Sequence, residues 1–447
     1  MIGLQDDCDR ASHAACCLGP HAAFAVRASH VLEKYTLHPT PDIMSQNELP
    51  AGENDDTIER VTGVDSHTEN PLGGHTGTPR GDHIAEPLRS VHTSNLPEIL
   101  ERLGCSLMVS TYQAGRLVML RSQDGVLNTH FRSFEKPMGL ALSDNRLAVG
   151  AANSIWEFHN LPAVGEKLNA ETESSSASQH DACFLPRVTH WTGDIQIHEM
   201  AWVGQGTEAE LWFVNTRFSC LCKRSSLYNF QPVWRPSFIN SFMPSDCCHL
   251  NGLGLREGKP KYVTALGETS VPRGWRENKK DGGILMDVET GDVITRGLSM
   301  PHSPRWYRGK LWVLESGRGG VGYIDSGTGK YVELIALPGF TRGLAFCGPL
   351  AFVGLSQVRE TAVFGGVPIA EQQLEERTCG VWIVNLETAQ TIAFVKFEDA
   401  VQEIFAVEII PHRFPELVNE EKELLDGSFE LPEEVLAGVP PEMRSHE

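Results

Sequence analysis

Three histidines occupy the same place in three successive segments of the chain: His198 in I-H-E-M-A-W-V, His249 in C-H-L-N-G-L-G-L and His302 in P-H-S-P-R-W-Y. Imidazole nitrogens bind zinc, copper or iron at about 2.0 to 2.2 Å, and three neutral imidazoles on one side of an ion leave positions open for water, substrate or oxygen. The expectation is one transition metal ion (Fe, Cu or Zn) as cofactor, with His198, His249 and His302 as its ligands. Open positions would let the ion bind dioxygen and substrate together or activate a water for hydrolysis. Glu199 directly follows His198, and Glu403 holds the same place in another copy of the segment. Both are candidates to orient an imidazole from outside the metal shell, and with Asp194, in W-T-G-D-I-Q-I-H-E, they form the catalytic set. The bland alternative for Asp194 is an Asx turn beside Gly193. For the histidines it is hydrogen bonding across a channel without metal.

Residues so far apart in sequence meet only if the fold brings equivalent positions together. The histidine segments align with K-P-M-G-L-A-L from Lys136, F-T-R-G-L-A-F from Phe340 and Q-E-I-F-A-V-E-I from Gln402. Slot one therefore holds Lys136, His198, His249, His302, Phe340 and Gln402, at intervals of 38 to 62 residues. Slots three to five mostly hold a packing residue, a small residue, then Leu or Trp. Such a period marks a propeller, each unit one four-stranded blade. A second apolar run follows most templates, as in L-A-V-G-A, L-W-F-V-N, L-W-V-L-E and L-A-F-V-G. Third and fourth strands read as I-L-M-D-V-E-T-G-D-V, V-G-Y-I-D-S-G-T-G-K-Y-V and V-W-I-V-N-L-E-T-A-Q-T-I, with hairpin turns at Glu289-Thr290-Gly291, Gly327-Thr328-Gly329 and Glu387-Thr388-Ala389. The last template, near 402 to 411, lacks partners, while S-L-M-V-S-T-Y, R-L-V-M-L-R-S and V-L-N-T-H-F precede the first template without an inner strand. Joining them closes the ring and removes exposed sheet edges. The predicted fold is all-β, a six-bladed propeller over residues 98–418.

In such a ring, loops after the second strands return to the rim where inner strands begin. They carry N-T-R-F-S, E-S-G-R-G-G and L-S-Q-V-R-E. Arg217, Arg318 and Arg359 of these loops, with Lys136, Arg305 and Arg342 of the templates, are candidate substrate-binding residues. The planar fork of arginine matches a carboxylate or phosphate, so a small anionic molecule or a peptide is the expected ligand. Ion pairs at the surface or between blades are the competing assignment for each arginine.

The 447 residues include 42 glycines, 41% are hydrophobic, and the formal net charge is −20. This describes a turn-rich globular chain and argues against nucleic acid, which needs a basic footprint. Residues 1–97, rich in Ser, Thr, Asn, His, Pro and Gly, read as a disordered or loosely attached leader, with Met44 an alternative start. No signal peptide or membrane-length apolar run is evident. From Glu416 onward ten acidic side chains face two basic ones, so 419–447 read as a solvated acidic tail or a protein-partner docking segment. Eleven cysteines without secretory context point to reduced thiols in the cytoplasm. The pairs Cys220/Cys222 and Cys247/Cys248 lack zinc-knuckle spacing.

The strings S-T-Y-Q-A-G-R-L, K-P-M-G-L-A-L, H-W-T-G-D-I-Q-I-H-E-M-A-W, C-H-L-N-G-L-G-L, M-P-H-S-P-R-W and L-P-G-F-T-R-G-L-A-F resemble a bacterial family of conserved hypothetical proteins, a domain of unknown function. The likeness spans nearly the whole expected propeller and implies no particular activity. In layout it is similar to gluconolactonase and strictosidine-synthase-like propellers, which place ligands on the axis at one face. The lactonase metal site relies on Glu, Asn and Asp; here only Asn251 is common to both, and on that ground it joins the substrate-binding candidates. Calcium prefers oxygen ligands, so the histidines depart from that chemistry. No G-x-S-x-G elbow, Walker loop or H-E-x-x-H occurs. Two readings follow: a metal-dependent enzyme, oxidative or hydrolytic, acting on a small anionic or peptidic substrate, or a non-catalytic module binding a ligand or protein at its rim.

Overall fold

A computed structural model describes residues 89–171, 180–357, 367–371, 378–398, 400–440 and 444. The described strands form six sheets, each an antiparallel run of four with one extra strand on two of them. Numbered by template, blade one has inner strand Leu140–Ser143, blade two Ile197–Val203, blade three Leu250–Arg256, blade four Pro301–Tyr307, blade five Phe340–Cys347 and blade six Ala406–Ile410. Blade six is completed by Ser106–Thr111, Arg116–Gln123 and Val126–Ser133 from the other end of the domain. Ser106 to Ser110 pair with Ile410 to Ala406, so the expected closure of the ring is found.

The small residue of slot four has a steric cause. A Cβ on Gly139 would lie 2.0 Å from the His198 carbonyl oxygen, one on Gly252 would meet Pro304 Cδ at 2.4 Å, and one on Gly343 would reach Val407 N at 2.7 Å. Neighbouring inner strands thus press closely around the axis, against backbone at Gly139 and Gly343 and against the Pro304 ring at Gly252, and a side chain there would force them apart. At the outer hairpins, the Asp287, Asp325 and Asn385 side-chain oxygens accept backbone N–H groups two or three residues on. Gly291, Gly329 and Ala389 then take positive φ, as the turn chemistry predicts.

Both ends of the domain extend beyond the expected boundaries. Ser90–His92 adds a fifth strand to blade five along Val395 to Phe397. Helix Leu96–Leu103 follows, with Pro97 in its first turn and Gly104 in the left-handed conformation at its end. It buries Leu96, Ile99, Leu100 and Leu103 against blades five and six. The leader therefore passes into the fold before residue 98, and its residues 1–88 lie outside the described part. Downstream, Pro415–Leu417 runs parallel to Ala182–Phe184 as the fifth strand of blade one. The acidic segment then stays on the domain: Leu424 and Leu425 pack against Val164, Cys183, Leu185 and Val418. Glu421 pairs with Arg132, and Glu430 with Arg187 and His159. The expectation of a solvated tail thus gives way over 419–430 to a docked segment, because its carboxylates meet arginines that sequence distance had hidden. Cysteines 105, 183, 220, 222, 247, 248, 347 and 379 are buried free thiols. Among the described residues no helix is long and apolar enough to cross a membrane.

Candidate functional site

His198 and His302 are set by one device used twice. Two residues before each, Gln196 (φ 51°) and Met300 (φ 47°) adopt the left-handed conformation. Their carbonyl oxygens lie 2.9 Å from Nδ1 of His198 and His302. The residue after the second strand supplies a hydroxyl to the same nitrogen, Thr216 at 2.7 Å for His198 and Ser316 at 2.9 Å for His302. A carbonyl can only accept, so each Nδ1 carries the proton. Thr216 donates onward to the Leu250 carbonyl at 2.6 Å, leaving its own lone pair for the imidazole. His249 is held differently: it has positive φ itself, and its Nδ1 faces both oxygens of Asp246 at 3.0 Å. Asp246 also accepts the Trp275 indole N–H at 3.0 Å.

Nδ1–H on all three rings makes Nε2 the lone-pair nitrogen, and no described residue hydrogen-bonds to any of these Nε2 atoms. The His198 and His249 rings stand edge to face, centroids 5.0 Å apart. Burial, and next the Arg342 guanidinium, push His198 and His302 well below the ordinary imidazole pKa, which keeps both neutral. Left-handed non-glycine residues thus recur at equivalent places before His198 and His302, each at some cost in energy. Apolar groups press on the same rings: Trp275 on His249 at 4.5 Å, Phe340 on His302 at 5.6 Å and Phe405 on His198 at 4.9 Å between centroids. Trp275 and Phe340 belong to a buried cluster with Leu266, Met300, Val367 and Ile369. Among the described residues no set of three or more His, Cys, Asp or Glu side chains stands ready to hold a metal ion.

Beside the histidines lies a charged network. Glu199 of blade two accepts the Leu253 N–H of blade three at 2.8 Å and Arg305 Nη1 of blade four at 2.9 Å, clamping three inner strands. Burial acts to lower the Arg305 pKa, but Glu199 and Glu408 outweigh it and the value rises. Glu408 is pushed up to about 7 by burial, against the pull of Arg305. Arg342 lies over the Phe405 ring, 3.6 Å from its centre, and burial brings its pKa down to about 10 despite Glu403 and Glu199.

The remaining candidates fall elsewhere. Asp194 is exposed, pairs with Arg217 and accepts the Gln196 N–H at 3.3 Å, which is the Asx-turn role. Arg318 binds Glu315 at 2.9 Å. The Asn251 amide is fully buried between blades, donating to the Pro301 carbonyl at 3.1 Å and accepting from Thr264 at 2.6 Å, so its polar atoms are taken by the scaffold. Lys136 is exposed with φ 49°. Arg359 lies outside the described residues. Sequence reasoning missed Asp246, Thr216, Trp275, Phe405 and Glu408; the Asp at the third position before His249 was the one local signal.

Fold and site together define a six-bladed β-propeller whose blades two, three and four carry His198, His249 and His302 at the starts of their inner strands, with the charge of Arg342 of blade five acting on His198 and His302. The chain belongs to the family described as Domain of unknown function (DUF4915), whose model matches residues 94–418. No curated protein matches it. Solved structures similar to it include a chain of a nidogen/laminin complex, 9% identical with TM-score 0.43, covering 69% of this chain and 100% of that one. Another is a protein of unknown function from Bacteroides caccae, 8% identical with TM-score 0.41, covering 69% and 99%. A third is virginiamycin B lyase from Staphylococcus aureus with quinupristin, 11% identical with TM-score 0.35, covering 69% and 99%.

Proposed function

We propose that this protein is a metal-dependent enzyme in which His198, His249 and His302 hold one transition metal ion, iron, copper or zinc, on the propeller axis, and that its substrate is small and anionic. One observation carries the reading: each Nδ1 is tied to an acceptor of the protein, so each ring offers the Nε2 lone pair that a metal requires. Metal-ligating histidines are oriented in this way by carbonyl or carboxylate partners of their other nitrogen. The ring spacing agrees, since two imidazoles sharing an ion at about 2.1 Å bring their centroids to roughly 5 Å, against 5.0 Å for His198 and His249. An ion on three imidazoles supplies Lewis acidity with positions left for substrate. Glu199 and Arg305 keep the inner strands, and hence the histidines, in register. The free thiols of the described cysteines support a reducing, cytoplasmic setting.

A second reading, a propeller that binds a ligand or partner without chemistry, is favoured by the Arg342 guanidinium, whose charge opposes a cation nearby. Elemental analysis of chain purified without a metal-affinity tag separates the two. The enzyme reading expects about one metal per chain, lost in His198→Ala, His249→Ala and His302→Ala. Metal-free protein after incubation with iron(II), copper(II) or zinc leaves the binding module.

A further inference from the structure

Arg342 differs from the other arginines near the axis. Arg305 is bound by Glu199, Arg217 by Asp194 and Arg318 by Glu315. Arg342 makes no hydrogen bond or ion pair with any described residue; its guanidinium rests on the face of Phe405. It sits where the pairing of Phe340–Cys347 with Leu350–Ser356 slips between Thr341 and Leu344, and Gly343 takes φ +82° there. Bulges of this kind re-aim a side chain, and this one is pressed against Val407 of blade six. The outcome is a half-buried guanidinium with one flat face on an aromatic ring and its N–H edge without an acceptor among the described residues.

Neither Glu199 nor the two histidines fill that edge. Glu199 is engaged by Arg305 and the Leu253 N–H. His198 and His302 have turned their N–H groups toward their own carbonyls. We propose that Arg342 receives a carboxylate of the ligand, two oxygens on the edge of the guanidinium, with the rest of the ligand extending toward Nε2 of the histidines. A planar monoanion fits the fork. A phosphate dianion would find one donor group and be repelled by Glu199 and Glu403, whose charges act on Arg342. The buried cluster of Trp275, Phe340, Val367 and Ile369 against His249 and His302 favours a compact, apolar remainder. The substrate class is therefore a small carboxylic acid. This deepens the proposed function and rests on its placing the reaction at the histidines, although the carboxylate contact itself needs no metal.

Calorimetric titration of the full chain, metal-free and zinc-loaded, with propionate, propionamide and inorganic phosphate tests it. Propionate should bind, propionamide should not, and phosphate should not compete. Arg342→Lys, which keeps charge without the fork, should weaken propionate about tenfold, and Arg342→Gln about a hundredfold. Propionate binding that is unchanged in both variants, equalled by propionamide or surpassed by phosphate, or absent from wild type up to its solubility, overturns the assignment. Selectivity of the wild type decides the matter should the variants fail to fold. His249→Ala that loses metal yet still binds propionate supports the carboxylate site; a wild type that takes up no metal but binds propionate retires the metal reading alone.

Discussion

Glu416 offers the sharpest test of how the C-terminal segment is held. Its carboxylate, about a tenth exposed, lies 3.2 Å from Arg121, 2.8 Å from Arg132, 3.0 Å from His130 and 3.4 Å from His180. Arg121 also donates to the Pro415 carbonyl at 2.8 Å, and Arg132 to that of Leu417 at 2.5 Å. Glu416→Ala leaves the buried Arg121 guanidinium without a carboxylate, while Arg132 keeps Glu421. Removing one partner of a buried ion pair costs about 3 to 5 kcal/mol. With an unfolding entropy of about 2.1 cal/mol/K per residue over the 94–418 domain, each kcal/mol moves the melting temperature by about 1.5 °C, so it should fall by about 4 to 7 °C. Glu430→Ala is the control, because its ion pairs with His159 and Arg187 are largely exposed and such pairs contribute within about 1 kcal/mol. Burial acts to raise the Glu416 pKa, but His130, His180 and Arg121 outweigh it and hold the carboxyl far below the usual carboxylate range. The folded state then releases this proton more readily than the unfolded chain does. The stabilisation is complete above the unfolded value of about 4.3 and drains away as pH falls below it. Thermal melts of wild type and variant across an acid series should therefore converge. A Glu416→Ala melt at neutral pH no lower than that of Glu430→Ala, or a gap that widens on acidification, would refute the reasoning.

Gly139→Ala sets a Cβ 2.0 Å from the His198 carbonyl oxygen and should destabilise the domain by about 3 kcal/mol, read by denaturant unfolding. Ala389 holds positive φ in a hairpin where glycine is at ease, so Ala389→Gly should raise stability by about 0.5 to 1 kcal/mol in the same assay. Asp246→Asn leaves one acceptor oxygen for two donors, His249 Nδ1–H and Trp275 Nε1–H, and should weaken metal uptake about 10- to 100-fold in chelator competition. Unchanged uptake would show that the carboxylate does not orient His249.

The ring was legible because its inner strands approach too closely for side chains at the glycine positions. Inner strands that touch at Gly139, Gly252 and Gly343 tolerate little else in slot four, so the repeat shows in residue type as well as in hydrophobic period. Turns were legible for a related reason: Asp287, Asp325 and Asn385 bond to their own neighbours, an interaction local in sequence. Ser90–His92 was invisible, since two of its three residues are exposed and no alternation marks it. The tail misled through its acidity. Arg121 and Arg132 lie almost the length of the domain away from Glu416, and no local pattern announces that they will meet it.

The functional residues divide along the same line. Three histidines at one template slot could be found by alignment, because slot position fixes where a side chain emerges on the ring. Whether an arginine is available could not be, because that depends on which carboxylate the fold sets beside it. Arg217, Arg305, Arg318 and Arg342 looked alike as sequence, and Asp194, Glu199 and Glu315 occupy the first three. The histidine tautomers were equally hidden, since they follow from left-handed residues and from hydroxyls on another strand. Those anchors belong to the scaffold rather than to any ligand. In the proposed site the scaffold, not the ligand, would orient the three Nε2 atoms. Thr216 and Ser316 stand at equivalent places, one strand away, and each meets the same nitrogen of its histidine, so blades two and four repeat one arrangement.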